Sequence, residues 1–254
     1  MLPGADGPTT YDLAEFTLRD VTRCGQALRR MGAGASSMEE TANRIVRHLR
    51  DNLIDGRTGL PASSLVRFFK THPYQRLDDE LQGFARGLCG DGHESPDMKC
   101  LVLLATAGEA PEWNSRKNST GHRAIPLPSE EAVHQIPMIR SLIEQLGLSV
   151  GSVIRPDPKI LLDLSQKTYG VFHVPEALDS PHIPAQREFV IHRGIRSVLG
   201  FGGLFPSGEM FAVIMFLKIP ISNELAGLFK PLALNVKIAA LPFLGTVFAS
   251  PVTP

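Results

Sequence analysis

The chain has 254 residues, of which 43% are hydrophobic, and its 26 basic side chains balance 26 acidic ones. This composition is typical of a globular protein that can bury a sizeable core without disulfide or metal staples. A formal net charge of zero provides no field to attract nucleic acid or an anionic membrane, so we expect neither as a partner. Three scattered cysteines and an opening segment without leader features predict free thiols and a cytoplasmic location.

The first third of the chain predicts two helices and a strand. Apolar residues recur at three- and four-residue steps over 11–30, which is the period of an amphipathic helix. Ser37 and Glu40 have capping-box spacing, so a second helix should begin at Ser37. The run SSLVRFFK over 63–70 predicts a strand.

The middle of the chain alternates between periodic segments and loops. A helix is predicted over 74–88, and the apolar run CLVLLAT over 100–106 predicts a strand covered on both faces. Residues 108–128 lack a clear period and are interpreted as a long loop. A further helix over 129–146 should kink at Pro137, because an interior proline lacks the amide hydrogen and clashes with the preceding turn.

The last third carries the clearest local signal. After a short helix over 157–166 and a strand over 171–174, two β-rich runs flank Pro206-Ser207-Gly208 and predict an antiparallel hairpin. A final helix should begin after Ser222 and bend at Pro231. Helices mixed with a few strands and ending in a hairpin plus helix indicate an α+β fold, with helices packed against an antiparallel sheet.

The C-terminal third resembles a GAF domain. The residues that carry this resemblance are GIRSVLGFGGLFPSGEMFAVIMFLKIPISNELAGLFKPLALNVKIAA, positions 194–240. They supply in order a Gly-Ile-Arg-Ser-Val strand, a turn, an apolar strand and a capped helix rich in leucine and alanine. The words CGQALRRMG, SMEETANRIVRHL, VRFFKTHPY, CLVLLATAG, PEWNSRK, GHRAIPLPSE, FHVPEA, SVLGFGG and LALNVKIAALPF resemble, over positions 15–243, the N-terminal input module of bacterial hybrid sensor histidine kinases and related signalling proteins.

This resemblance implies a GAF-like central antiparallel sheet flanked by helices, with an N-terminal helical extension. We divide the chain into an N-terminal helix and linker (1–36), a GAF-like sensory domain (37–245) and a C-terminal tail (246–254). The function implied is a cytoplasmic bacterial sensor that binds a small molecule and relays a conformational shift through its terminal helices, with an output kinase or phosphatase domain as a possible partner. The alternatives are a small-molecule enzyme that uses the same cavity and a dimerisation module with an empty pocket.

In a GAF-like fold the ligand lies between the sheet and its covering helices or loops. Within the long loop, Trp113 offers a stacking face and Arg116 a bidentate fork, which together suit an anionic or planar polar ligand. The alternative is a surface loop that Trp113 anchors in the core. The candidate ligand-binding residues are His72, Trp113, Asn114, Arg116, His122, Phe172 and His173.

Other chemistry is less well supported by the sequence. The glycines at 200, 202 and 203 do not form a dinucleotide fingerprint, because two strands flank them and position 205 is Phe205, so close packing is the preferred interpretation. The histidines lack metal-ligand spacing, no nucleophile elbow or zinc-protease motif occurs, and Cys100 begins an apolar run as a buried cysteine would. We therefore predict no enzyme activity and no metal, and the sequence leaves the cofactor unknown.

The terminal helices also predict a homodimer. Their apolar stripes exceed what one sheet is expected to cover, and an exposed apolar surface commonly marks an association site. The residues of these stripes are Leu13, Phe16, Leu28, Leu225, Leu228, Leu232 and Val236.

Overall fold

A computed structural model describes residues 10–89, 95 and 97–249 of the chain. Within these residues the strands are β1 (Tyr11–Asp12), β2 (Leu53–Asp55), β3 (Leu60–Pro61), β4 (Ser63–Pro73), β5 (Lys99–Gly108), β6 (Ala124–Leu127), β7 (Tyr169–Val174), β8 (Ser197–Leu204) and β9 (Met210–Leu217). The α-helices are α1 (Leu18–Arg30), α2 (Met38–Asn52), α3 (Asp79–Cys89), α4 (Glu130–His134), α5 (Pro137–Gln145), α6 (Val150–Ile154), α7 (Pro158–Lys167), α8 (Asn223–Gly227) and α9 (Lys230–Ala240).

The fold is organised around a six-stranded sheet with the order β6-β5-β4-β9-β8-β7, in which every neighbouring pair is antiparallel. A smaller sheet, β1-β2-β3, lies at the N-terminal side of the chain. The predicted α+β arrangement, an antiparallel sheet flanked by helices, is confirmed. The predicted hairpin is the β8–β9 pair, in which Leu204 pairs with Met210.

Local capping explains where the first two helices begin. Thr17 accepts a hydrogen bond from the Asp20 amide while the Asp20 carboxylate accepts one from the Thr17 amide, so α1 begins at Leu18 rather than at Tyr11. Tyr11 instead begins the short strand β1. The Ser37 hydroxyl accepts a hydrogen bond from the Glu40 amide, which confirms the predicted start of α2.

Two prolines separate helices where the sequence predicts kinks. Pro137 lies in the first turn of α5, so the predicted helix over 129–146 is two helices, α4 and α5. Pro231 likewise lies in the first turn of α9, and α8 ends before it at Gly227. A proline in the first turn of a helix loses no helical hydrogen bond. Starting a new helix at the proline therefore costs less free energy than bending one continuous helix there.

The long loop over 108–128 contains a strand that the sequence did not indicate. Residues 124–127 form β6 and pair with 99–102 on β5. This strand has four residues, including Pro126, and lies at the edge of the sheet. Proline is acceptable there because an edge strand does not need to donate from every amide.

Helices and loops cover both faces of the sheet and form two layers. The first layer consists of α1, α2, α3 and α9, whose apolar residues pack on the face that carries Val66, Phe68 and Val213. The second layer consists of α4, α5, α6 and a π-helical segment over 186–191, and it packs on the face that carries Leu65 and Ile214.

The apolar stripes of the terminal helices are buried by packing within the same chain. α1 and α9 run parallel, since Gly25 lies against Asn235 and Gly32 lies against the backbone of Ala239. The stripe residues Leu13, Phe16, Leu28, Leu232 and Val236 are all buried, and Leu225 and Leu228 are partly buried. The expectation that one sheet cannot cover these stripes is therefore wrong, because the two helices and the sheet cover each other.

A different stripe remains exposed on α9 and just after it. Leu234, Ile238 and Leu241 retain 41%, 38% and 39% of their surface. Their spacing of four and three residues places them on one side of the helix. The segment Asn223–Phe243 that contains them has a mean hydropathy of 1.3 and passes a length and composition test for a membrane span, with 44% of the window buried. Its packing on the sheet accounts for much of that apolar character.

Candidate functional site

The centre of the sheet carries a row of directly paired residues on the face toward the second layer. Arg67 on β4 pairs with Thr106 on β5 and with Ile214 on β9. Gly200 on β8 pairs with Ile214 on one side and with Phe172 on the other. Because side chains alternate along each strand, Arg67 points the same way as Ile214 and Phe172. These two residues belong to the second core, the apolar cluster between the sheet and the second layer. A guanidinium therefore lies in the middle of a mainly apolar surface.

The charge of Arg67 has no partner among the described residues. Its Nε is buried and donates to no acceptor within the described ranges, and neither an ion pair nor a hydrogen bond involves the rest of its side chain there. Desolvation by burial lowers the pKa of Arg67 to about 10, so the side chain remains charged at neutral pH. The residue retains intermediate exposure, which leaves its terminal nitrogens accessible from solvent.

Two hydroxyl groups, one opposite Arg67 and one on the loop before β6, are also buried without partners within the described residues. Thr106 is 2% exposed and its Oγ1 has no hydrogen-bond partner within the described chain. It lies directly opposite Arg67, at the spacing at which cross-strand side chains interact. Ser119, on the loop that leads to β6, likewise buries its Oγ without a partner in that part of the chain. Buried hydroxyl groups are normally satisfied, so these two identify unused hydrogen-bonding capacity.

His122 is the neighbouring titratable group. Desolvation of the imidazole, followed by the positive charge of Arg67, lowers the pKa of His122 to about 4, although the residue as a whole is exposed. The ring is therefore neutral at pH 7 and offers one donor and one acceptor nitrogen. The net charge of this pair is that of Arg67 alone.

An aromatic cluster borders the site along the strand direction. Trp113 lies over Gly108 and beside Leu65, which precedes Arg67 by two residues on the same face of β4. The indole contacts Phe189 edge-on with ring centroids 5.7 Å apart, and the Arg193 guanidinium lies 4.6 Å from the indole centroid. The Trp113 side chain is partly buried against the second core, as the anchoring interpretation predicts.

Asn114 holds the loop rather than presenting its amide to a ligand. Its Nδ2 donates to the carbonyl oxygens of Gly108 and Ala110, at 3.1 Å each, and its Oδ1 accepts from the Gly108 amide at 3.2 Å. These three bonds fix the turn after β5. This fixed backbone positions Trp113.

Arg116 is paired with a carboxylate of the first layer. Its Nε and Nη2 donate to the two oxygens of Glu39 at 2.6 and 3.1 Å, and the side chains are only 10% and 14% exposed. The guanidinium also lies 5.3 Å from the centroid of Phe248. The bidentate fork predicted for a ligand is thus occupied by Glu39 in this structure.

The same contacts attach the C-terminal segment to the start of α2. The amides of Met38 and Glu39 donate to the carbonyl oxygens of Thr246 and Val247, and the Ala249 amide donates to Glu39 Oε2 at 3.1 Å. Residues 246–249 therefore cap the N-terminus of α2, where four amide hydrogens lack helical partners. Arg116 joins this cap to the long loop.

His72 also contacts Phe248. Its ring packs edge-on against Phe248 with centroids 5.4 Å apart, and its Nδ1 lies 3.4 Å from Lys70 Nζ. Lys70 is 1% exposed, donates to the Thr71 carbonyl and lies 4.0 Å from Glu209. Burial is the main cause that lowers the pKa of His72 to about 4 and that of Lys70 to about 8.

Phe172 and His173 point to opposite faces of β7, as alternation predicts. Phe172 is fully buried in the second core. His173 faces the first layer, where its Nδ1 lies 2.9 Å from Asn223 Oδ1, and its amide donates to Gln145. These contacts place His173 at the edge of the sheet.

The structure therefore divides the seven predicted residues into three groups. Trp113, His122 and Phe172 border or join the row around Arg67. Arg116 and His72 contact Phe248 on the side of the first layer. Asn114 and His173 hold local backbone. Sequence reasoning missed Arg67 and Thr106, although a lone arginine between the apolar pairs Leu65-Val66 and Phe68-Phe69 was a usable signal.

Two negative expectations can be compared with the geometry. The glycines of β8 lie in a strand, where a side-chain carbon at Gly202 would meet the Phe211 carbonyl at 2.1 Å, so close backbone packing explains this glycine. No group of three or more metal-ligating side chains occurs within the described ranges.

No protein-family model and no curated protein matches the chain. Among solved structures, the chain is similar to a GAF domain from a phosphoenolpyruvate-protein phosphotransferase of Coxiella burnetii, at 12% identity and a TM-score of 0.41, over 89% of this chain and 94% of that one. The GAF domain from the corresponding Acinetobacter protein is 12% identical with a TM-score of 0.41, over 87% of this chain and 93% of that one. The phycoerythrobilin-bound GAF domain from a cyanobacterial phytochrome is 10% identical with a TM-score of 0.38, over 91% of this chain and 99% of that one. All three solved structures are described as GAF domains.

Proposed function

We propose that this chain is a cytoplasmic sensory or regulatory domain of bacterial signal transduction. Its ligand is a small molecule that binds on the second-layer face of the sheet, beside Arg67 and beneath the loop that carries Trp113 and His122. The observation that carries the proposal is the unpaired guanidinium of Arg67 beside the unpartnered hydroxyl of Thr106. The buried Nε of Arg67 has no acceptor within the described residues while the terminal nitrogens reach solvent, and a bound ligand would supply the missing acceptor.

A connection from this site to the chain end supports the relay. The loop over 108–123 carries His122, the titratable neighbour of Arg67, and Arg116 of the same loop pairs with Glu39, which also accepts a hydrogen bond from Ala249. A ligand that prefers one arrangement of the loop shifts the population of the attached C-terminal segment by its differential affinity. An output kinase or phosphatase domain is the partner that we propose to receive this shift.

We also propose that the domain forms a homodimer through its terminal helices. The stripe of Leu234, Ile238 and Leu241 supplies the surface, since the residues first expected to do so are mostly buried. Symmetric pairing is the commonest way to cover such a stripe.

Native mass spectrometry of the chain purified from its own host tests the ligand proposal. The expected result is a bound small molecule on the wild type that is lost from Arg67→Met. Hydrogen exchange on the same samples should show altered protection of residues 246–249 when the ligand is removed. An empty wild type that takes up nothing from host extract would favour the dimerisation module, whereas chemical conversion of the bound molecule would favour the enzyme.

A further inference from the structure

The polar groups around Arg67 define what kind of ligand the site takes. Arg67 supplies one full positive charge, and His122 is neutral at pH 7. Thr106 adds a hydroxyl opposite the guanidinium. The binding surface therefore offers a single positive charge together with neutral donors.

We infer that the ligand carries a carboxylate, which pairs with the Arg67 guanidinium. This inference rests on the proposed function, because it names the chemical class that the same site recognises. A guanidinium presents parallel N–H groups that match the two oxygens of a carboxylate.

Charge balance favours a carboxylate over a phosphate group. One carboxylate neutralises one guanidinium and leaves the pair without net charge. A phosphate monoester carries up to two negative charges at neutral pH, and the second would remain uncompensated beside a neutral His122. Arg193 lies 4.6 Å from the indole centroid of Trp113.

The surroundings also indicate what the rest of the ligand looks like. Trp113 and Phe189 form an aromatic edge next to Arg67 along β4, through Leu65. Ile214 and Phe172, on the other side of Arg67, are 3% and 0% exposed and belong to the packed core. A carboxylate attached to an apolar or aromatic body fits this combination, because the body would lie against the partly buried rings of Trp113 and Phe189 while the charge is paired.

The test uses benzoate, its neutral analogue benzamide and inorganic phosphate as probes. Binding to the full chain is followed by the fluorescence of Trp113, the only tryptophan, and by the ring signals of His122 in NMR spectra. We expect benzoate to bind at least about tenfold more tightly than benzamide, as a charge-assisted hydrogen bond would require. Pairing of Arg67 should also raise the pKa of His122, because the charge that lowers it is then neutralised.

Two variants keep the inference falsifiable. Arg67→Met should lose the preference for benzoate over benzamide while its melting temperature stays about the same, because no ion pair or hydrogen bond of this side chain within the described residues is lost. Arg140→Met removes an exposed arginine that pairs with Glu144 and should leave both properties unchanged. A large loss of stability in Arg67→Met would show a structural role for this arginine and contradict the inference.

The outcomes separate the carboxylate inference from the proposed function. If phosphate or benzamide bound more tightly than benzoate, and this binding depended on Arg67, the carboxylate inference would be overturned. The proposal of a small-molecule site would stand. Failure of all three probes, together with a wild type that carries no molecule after purification from its host, would overturn both. Failure of benzoate while the host-derived molecule proves to lack a carboxylate would overturn the inference alone, and a host-derived carboxylate would support it.

Discussion

The pair between Arg116 and Glu39 should contribute substantially to stability. Arg116→Met removes two charge-assisted hydrogen bonds, at 2.6 and 3.1 Å, from a carboxylate that is 14% exposed. Removing one partner of a buried pair typically costs about 3–5 kcal/mol. Glu39 lies in the first turn of α2, where the helix amides partly stabilise its charge, and it keeps the bond from Ala249. We therefore expect a loss of about 2–3 kcal/mol in the free energy of unfolding.

Urea denaturation followed by circular dichroism measures this loss. The double variant with Glu39→Gln should lose less than the sum of the two single variants, because the pair is broken once in either case. Arg140→Met is the matched control, since its partner Glu144 is half exposed and such pairs contribute about 0.3–0.5 kcal/mol.

Hydrogen exchange at residues 246–249 provides a second measurement. The Ala249 amide depends on Glu39, and Phe248 packs under the Arg116 guanidinium. Protection in this segment should fall in Arg116→Met and stay unchanged in Arg140→Met. A loss of less than about 0.5 kcal/mol, which is typical of surface substitutions, together with unchanged protection, would refute the reasoning.

Two further predictions follow from buried and exposed side chains. The pKa of His72 is about 4 in the folded chain and ordinarily about 6.5, so below pH 6.5 the unfolded chain binds the extra proton and stability falls until about pH 4. This residue should contribute about 2 kcal/mol of lost stability between pH 7 and 5, and His72→Gln should remove that part of the dependence in urea titrations at both pH values. Ile238→Glu should convert a dimer to a monomer in light scattering without unfolding it. Leu178→Glu is the control at an exposed leucine outside the terminal helices, and it should leave the mass unchanged. A single-chain mass for the wild type at high micromolar concentration would reject the dimer.

The amino-acid sequence by itself determined the elements whose signals are local. Capping at Ser37, the apolar runs of β4 and β5 and the turn between β8 and β9 each depend on residues close together in the chain. These signals were sufficient for the α+β class. They also predicted the opposite orientations of Phe172 and His173, because alternation along a strand is a property of the backbone.

Only the tertiary structure decided which side chains meet. Glu39 and Arg116 are 77 positions apart, and no local pattern relates them. Arg67 meets Thr106 because β4 and β5 pair in one register, and a shift of one residue would turn Arg67 to the other face. The burial of the terminal stripes likewise depends on the parallel packing of α1 and α9. Partners for charges and covers for apolar faces come from distant segments, and for this reason the sequence identified the loop's polar and aromatic side chains but not their contacts.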